Sequence, residues 1–242
     1  MEFESLYRVS LKIKGANFPP KKPDAPWMNT TLKTKDEVFE AIRQVKNIGL
    51  FPNPFPAKNW DSLAILQTIL DNTTPRSTIL DAGSSLDSTP LHWLYLYGYR
   101  KLIGINLAFP KTITYGPIKY LKQDLTHTKF RKQSFDVVIC QSVIEHGVSI
   151  HEYFEEMSRI LKHGGTLITS TDYWENSVDT KGKMAFGTEI RIFDREDLSE
   201  MLCIAERNGF RKTGDIDLEC NEKAVHWTGL NYTFIVFALK RR

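Results

Sequence analysis

The sequence predicts an α/β fold, a mostly parallel sheet with helices on both faces and an antiparallel strand at its C-terminal end. Three observations predict it. From Ser77 onward, short apolar runs alternate with helical patterns, which is how such a sheet is written in sequence. The first run leads directly into a turn, Asp81-Ala82-Gly83-Ser84-Ser85-Leu86-Asp87, and the turn after the first strand is where open parallel sheets bind ligands. Finally, 242 residues that are 41% hydrophobic and 25% charged suit one large domain with a continuous core.

Residues 1–56 carry seven prolines, Pro19, Pro20, Pro23, Pro26, Pro52, Pro54 and Pro56, around one helical pattern. In that pattern Val38, Ile42, Val45 and Ile48 follow Lys35-Asp36-Glu37 at a spacing that builds a single apolar stripe. This segment reads as an N-terminal extension or lid on a domain spanning 57–242. A second helix is predicted from Asp61 to Leu70, closed by Asn72-Thr73-Thr74-Pro75. Strands are predicted at Thr78 to Asp81, Leu102 to Ile105, Ile118 to Lys122, Phe135 to Cys140 and Thr166 to Ser170. A short helix from Pro90 to Tyr97 ends at Gly98. A longer one from Ile150 to Leu161 turns Tyr153, Phe154, Met157 and Ile160 inward, leaves Glu152, Glu155 and Glu156 to water, and ends at Gly164-Gly165. The last helix opens at Asp194, with Glu196 and Asp197 in its favourable first turn. Two closing strands, Ile216 to Cys220 and Tyr232 to Leu239, are joined by a connector too short for a crossover helix, so they should be antiparallel neighbours. The predicted sheet therefore has seven strands with a terminal hairpin.

Composition narrows the function. A net charge of +3 with short, scattered basic clusters gives no argument for nucleic acid. No run approaches the roughly 20 apolar residues that cross a bilayer. The start MEFESLYRVS has acids where a secretory signal would have a basic and then an apolar stretch, so a cytoplasmic protein without membrane contact is expected. Cys140, Cys203 and Cys220 form no C-x-x-C pair and read as buried thiols. The six histidines lie at no common metal-ligand spacing, and no metal is expected.

The turn excludes one cofactor class by its chemistry. A dinucleotide site needs G-x-G-x-x-G so that backbone can approach a pyrophosphate. Here Gly83 stands alone, Ser84, Ser85 and Ser88 would crowd a diphosphate, and Asp87 would repel it. Acids around a single glycine suit instead a cofactor with a positive sulfonium and an ammonium group.

Taken in order, ILDAGSS, LIGINL, KQDL, SFDVVICQSVIEH and RILKHGGTLITS make the chain resemble the class I S-adenosylmethionine-dependent methyltransferases, over about Asn59 to Arg242. The resemblance implies a Rossmann-like fold with S-adenosyl-L-methionine as cofactor. Asp81 and Gly83, with Ser84 and Ser85, match the loop that holds the methionine moiety. Asn106, followed by Leu107, stands where the family usually has an acid on the ribose hydroxyls. Asp124 and Leu125 match the adenine edge, and Gln141 and Ser142 follow the fourth strand beside the methyl group. Two departures stand out: Ser85 and Asp87 replace later glycines of the loop, and Asn106 replaces the ribose acid.

Methyl transfer from a sulfonium is an in-line displacement, so the protein must align the acceptor and remove a proton when that acceptor is a hydroxyl. Glu145-His146, directly after the fourth strand, is the best-placed acid and base pair; Asp172, after the fifth, is a second candidate base. Equally, Glu145 and His146 could serve only to cap that loop. Tyr173 and Trp174 offer a flat apolar wall with polar edges for a substrate ring. His226 and Trp227 before the last strand are further candidates for substrate contact, with Trp27 and Trp60 completing a lid. The sequence lacks both the Asp/Asn-Pro-Pro-aromatic motif of base amino-methyltransferases and the Pro-Cys nucleophile of pyrimidine C5 enzymes. The expected acceptor is therefore a small molecule or a glycan, methylated at oxygen, and the oligomeric state stays open. The departures in the loop leave room for a methyltransferase-fold binding protein without turnover. A nicotinamide dehydrogenase is a third reading.

Overall fold

In the computed structural model, which describes residues 3–242, the first strand of the domain falls where the pattern places it, at Thr78–Ala82. Met1 and Glu2, the start of the predicted extension, lie outside the described residues. Before that strand come α1 (Phe3–Ile13), β1 (Thr30–Thr31), α2 (Lys35–Asn47) and α3 (Lys58–Asn72). The strand itself is β2. It is followed by α4 (Thr89–Leu96), β3 (Lys101–Ile105), β4 (Ile113–Tyr115), β5 (Ile118–Leu121) and β6 (Phe135–Gln141). Then come α5 (Ile150–Ile160), β7 (Leu161–Tyr173), the small hairpin β8 (Met184–Ala185) and β9 (Thr188–Glu189), and α6 (Arg195–Arg207). The chain closes with β10 (Phe210–Lys212), β11 (Val225–Trp227) and β12 (Leu230–Arg241).

The main sheet runs β1-β12-β7-β6-β2-β3-β5-β4. The central pairs are parallel, while β12 runs antiparallel to β7 and β4 antiparallel to β5. Consecutive residues of each central strand point to opposite faces. Ile79, Val137 and Ile168 pack with α2, α3 and α4 on one side, and Leu80, Val138 and Leu167 pack with α5 and α6 on the other. The strand order reverses between β2 and β6, so the turn after Asp81 and the turn after Gln141 lie side by side at the switch point.

Several local expectations change. Ile216 to Cys220 is not a strand. The edge of β12 it would have paired with is taken by Thr30 and Thr31, and its alternating Ile216, Leu218 and Cys220 only half-bury themselves beside that edge. After Gly209 the chain pairs at once with the end of β12 as β10. With β1, β4, β10 and β11 added, the sheet has ten strands rather than seven. Helix α5 stops at Ile160 because Leu161 is already extended and paired with Phe135, ahead of the two glycines. Glu156 is buried rather than solvated: Arg159 holds it from the next turn, and the backbone N–H and hydroxyl of Thr128 donate to it. Of the three thiols only Cys140 is buried; Cys203 is exposed and Cys220 half-buried. Helix α6 begins with the reciprocal cap between Asp194 and Asp197.

Candidate active site

The predicted cofactor residues gather at the carboxyl ends of β2, β3, β5 and β6. Gly83 has φ +91°, its N–H donates to the Ile105 carbonyl at 2.8 Å, and a Cβ there would sit 2.3 Å from Cγ2 of Val143. Left-handed backbone and close approach both demand glycine. Asp81 is only 2% exposed, and its Oδ2 accepts from the Ser88 hydroxyl at 2.8 Å. Burial pushes its carboxyl up to about 6, with the Ser84 and Ser88 hydroxyls pulling it back part of the way. Ser84 is buried, whereas Ser85 and Asp87 are exposed and bonded to each other at 2.7 Å.

Asn106 has a structural reason to be an amide. Its Nδ2 donates to the carbonyls of Gly83 at 3.2 Å and Ser84 at 3.0 Å, and its Oδ1 accepts from the Ala108 N–H at 2.9 Å. A carboxylate could not donate to two carbonyls, so Asn106 fastens the end of β3 to the turn. Leu107 beside it is exposed. Asp124 spends Oδ1 on the N–H and hydroxyl of Thr126, and Leu125 is buried. Gln141 donates to Asp61 at 2.7 Å and Ser62 at 2.8 Å, while Ser142, at φ +52°, bonds Nζ of Lys58 through its hydroxyl.

Lys58 and Asp61, from the first turn of α3, are the site residues that sequence reasoning missed. Lys58 lies 3.5 Å from the fully buried Asp61 and 3.9 Å from the centroid of the Phe234 ring. Asp61 also accepts from the Ser170 hydroxyl at 2.6 Å. The available signal was an acid and a lysine three residues apart in the first turn of a helix whose next residues, Leu63 to Leu66, are apolar.

Next to this network sits a pair of buried carboxyls. Glu145 is 0% exposed and Asp172 3%, and their charges lie close enough to repel each other. Oε2 of Glu145 accepts from the Thr171 hydroxyl at 2.9 Å, its buried Oε1 has no partner, and Tyr232 lies beside Asp172. Burial raises both carboxyls, Asp172 further because Glu145 repels its charge; Lys58 opposes both shifts. Burial and mutual repulsion therefore favour a pair that keeps a proton rather than carrying two charges.

His146 packs edge-on to Phe186 at 5.0 Å and to Trp227 at 6.1 Å, and those two rings stack on each other. Burial, then Lys58, lowers it to about 4, so it is a neutral imidazole, and its buried Nδ1 has no partner. Tyr173 is core, its hydroxyl donating to the Leu218 carbonyl at 2.9 Å. Trp174 is half-buried under Lys223. His226 is exposed and bonded to Asn231. The structure thus brings Glu145, Asp172, His146 and Trp227 toward one end of the sheet, with Phe186 added to them. Trp60 is core, and Trp27 lies over it, donating to its carbonyl.

The match to known families agrees with this geometry: residues 80–169 match the methyltransferase domain family. No curated protein matches the chain. Among solved structures, the fold is similar to the geranyl diphosphate C-methyltransferase of Streptomyces coelicolor A3(2), at TM-score 0.59 and 15% identity over 100% of this chain and 99% of that one. It is also similar to the 1,6-didemethyltoxoflavin-N1-methyltransferase of Burkholderia thailandensis, at TM-score 0.53 and 17% identity over 86% of each chain. The [4+2]-cyclase SpnF has TM-score 0.57 and 12% identity, over 74% of this chain and 80% of that one. At such identities the likeness fixes the fold alone. The cofactor of the matched domain is S-adenosylmethionine, and the donor set of the turn fits it: a buried acid, serine hydroxyls and a second acid around one glycine suit an ammonium and a sulfonium.

Proposed function

Starting from a chain whose residues 80–169 match the methyltransferase domain family, we propose that it is a class I S-adenosylmethionine-dependent methyltransferase that methylates a small-molecule or sugar-containing acceptor at a hydroxyl oxygen. The observation that carries this reading is the neutral His146, with an unpartnered Nδ1, packed edge-on against the stacked rings of Phe186 and Trp227. Phe186 is 83% exposed, and an exposed aromatic face beside polar groups suits the apolar face of a sugar or another ring. S-adenosylmethionine supplies an electrophilic methyl group. The protein's part is to hold the acceptor and receive its proton, for which a neutral imidazole is available throughout the physiological range. The buried carboxyls of Glu145 and Asp172, both raised, are a second acceptor of that proton, with Lys58 offsetting their charge. Two structural neighbours are named for small molecules, geranyl diphosphate and 1,6-didemethyltoxoflavin, which supports the size of the acceptor and leaves the atom to experiment.

The test is S-adenosylhomocysteine release from S-adenosylmethionine with matched panels of glycosides, phenols and amines. Product from hydroxyl compounds is expected, and product from amines alone would overturn the oxygen assignment. His146→Ala should lower turnover on the order of a hundredfold with S-adenosylhomocysteine affinity kept. A parallel loss of affinity would make His146 structural.

Asp81 makes the cofactor site pH-dependent. Its carboxyl titrates at about 6 in the folded protein, so it is protonated below that value and cannot pair with the ammonium of the cofactor. Affinity for S-adenosylhomocysteine should rise as pH increases from 5 to 7 and then level off. Calorimetry across that range checks it, and Asp81→Asn should flatten the profile. The sign for folding is opposite. Because the folded carboxyl binds its proton more tightly than the unfolded one, Asp81 favours folding most below its ordinary value of 3.8, and that contribution is lost as pH rises through about 6.

A reading without turnover draws on Val143, whose side chain fills the space above Gly83. Absence of S-adenosylmethionine binding at millimolar concentration would favour it.

A further inference from the structure

Helix α1 connects to the cofactor turn through one buried histidine. Tyr7, on the inner face of α1, is enclosed by the rings of Tyr95 at 5.0 Å and Tyr115 at 4.7 Å. Gly116 makes room for it: a Cβ there would lie 2.2 Å from Cδ1 of Tyr7. The Tyr7 hydroxyl bonds Nδ1 of His92, at the end of the first turn of α4. On its other side, Nε2 of His92 bonds the carbonyl of Leu86 at 2.8 Å. A carbonyl only accepts, so Nε2 carries the hydrogen and Nδ1 accepts the hydrogen bond that the tyrosine hydroxyl donates. His92 is 1% exposed, and burial holds it down to about 4, which keeps the ring neutral and the tautomer fixed. Both ring nitrogens are spent, one on α1 and one on the turn.

The turn itself lacks the later glycines whose backbone would otherwise set its shape, and side chains hold it instead. Asn106 takes the carbonyls of Gly83 and Ser84, and His92 takes that of Leu86. We infer that Tyr7 and His92 are positioning residues, through which α1 acts as a strut that sets the cofactor turn. This rests on the assignment of residues 81–88 to the cofactor site. It gives the N-terminal extension a role in cofactor affinity through a single hydrogen-bonded line, with no contact between α1 and the cofactor required.

The test compares full-length wild type with Tyr7→Phe, His92→Leu and His92→Gln, reading S-adenosylhomocysteine affinity by calorimetry and amide exchange at residues 84–88 without ligand. Tyr7→Phe keeps the ring packing and removes one hydroxyl; it should weaken binding about fivefold to tenfold and speed exchange in the turn. His92→Leu should do the same, and His92→Gln, whose amide can accept from Tyr7 and donate to Leu86, should recover part of both effects. A change in melting temperature alone, with affinity and turn exchange as in wild type, would overturn the strut. Should wild type itself not bind S-adenosylhomocysteine, the cofactor assignment fails, while the exchange comparison still decides whether α1 orders the turn.

Discussion

Gly83→Val is expected to weaken S-adenosylhomocysteine binding by about thirtyfold or more. A residue with a Cβ in left-handed backbone costs about 1–2 kcal/mol, and the new side chain meets Val143, whose Cγ2 lies 2.3 Å from the Cβ position. Overpacking of that kind costs about 1–3 kcal/mol more. Together the terms reach roughly 2–5 kcal/mol, and the turn can relieve them only by moving away from β6. Gly83→Ala should show the same direction on a smaller scale, and adding Val143→Ala should restore part of the loss, because the two positions share one space. Calorimetry on the four proteins, with melting curves to confirm folding, decides it. Unchanged affinity in Gly83→Ala and Gly83→Val would mean that the cofactor lies elsewhere.

Lys58→Met is expected to be the most destabilising single change in the site. The ammonium is a close cation for Asp61 and also offsets charge on Glu145 and Asp172. Without it Asp61 remains fully buried with only neutral donors from Gln141 and Ser170. Removing one member of a buried ion pair costs about 3 kcal/mol or more. The loss should also depend on pH. Glu145 and Asp172 titrate above their ordinary values when folded, so the folded protein holds a proton that the unfolded chain releases, and stability declines as pH rises above the ordinary carboxylate range. Removing Lys58 raises the pair further and steepens that decline. Urea denaturation between pH 5 and pH 8 measures both effects, with Lys58→Arg expected to recover part of the stability. Equal stability of wild type and Lys58→Met would remove Lys58 from the network.

Most of the central sheet was legible because its strands are apolar runs bounded by turns. Thr78 and Phe135 begin strands where the pattern says, and Asp194 caps a helix as its chemistry requires. The edges were not legible. Thr30 and Thr31 have no apolar pattern of their own and become a strand only because β12 offers a partner, whereas Ile216 to Cys220 has the alternation and finds that partner taken. Helix α1 was missed because its apolar residues are divided between an inner set, Tyr7 and Leu11, and an exposed set, Leu6, Val9 and Ile13. At the site, residue types marked Asp81, Gly83, Glu145 and His146 as candidates. Lys58, Asp61 and Tyr232 reach the same place from elements distant in sequence, and the spacing of Lys58 and Asp61 in one helical turn does not say where that turn will lie.

The last strand carries a liability that the first third of the chain removes. β12 spends one edge on β7, and a free edge of twelve largely apolar residues would be a template for another copy's strand. Three short pieces cover it in turn: β11 at Leu230–Tyr232, β1 at Ile235–Val236 and β10 at Leu239–Arg241. None is long enough to extend the sheet further. Removing residues 1–34 would open the middle of that edge, so the truncated protein should self-associate even where its parallel core still folds, and the N-terminal segment earns its place partly as a guard against aggregation.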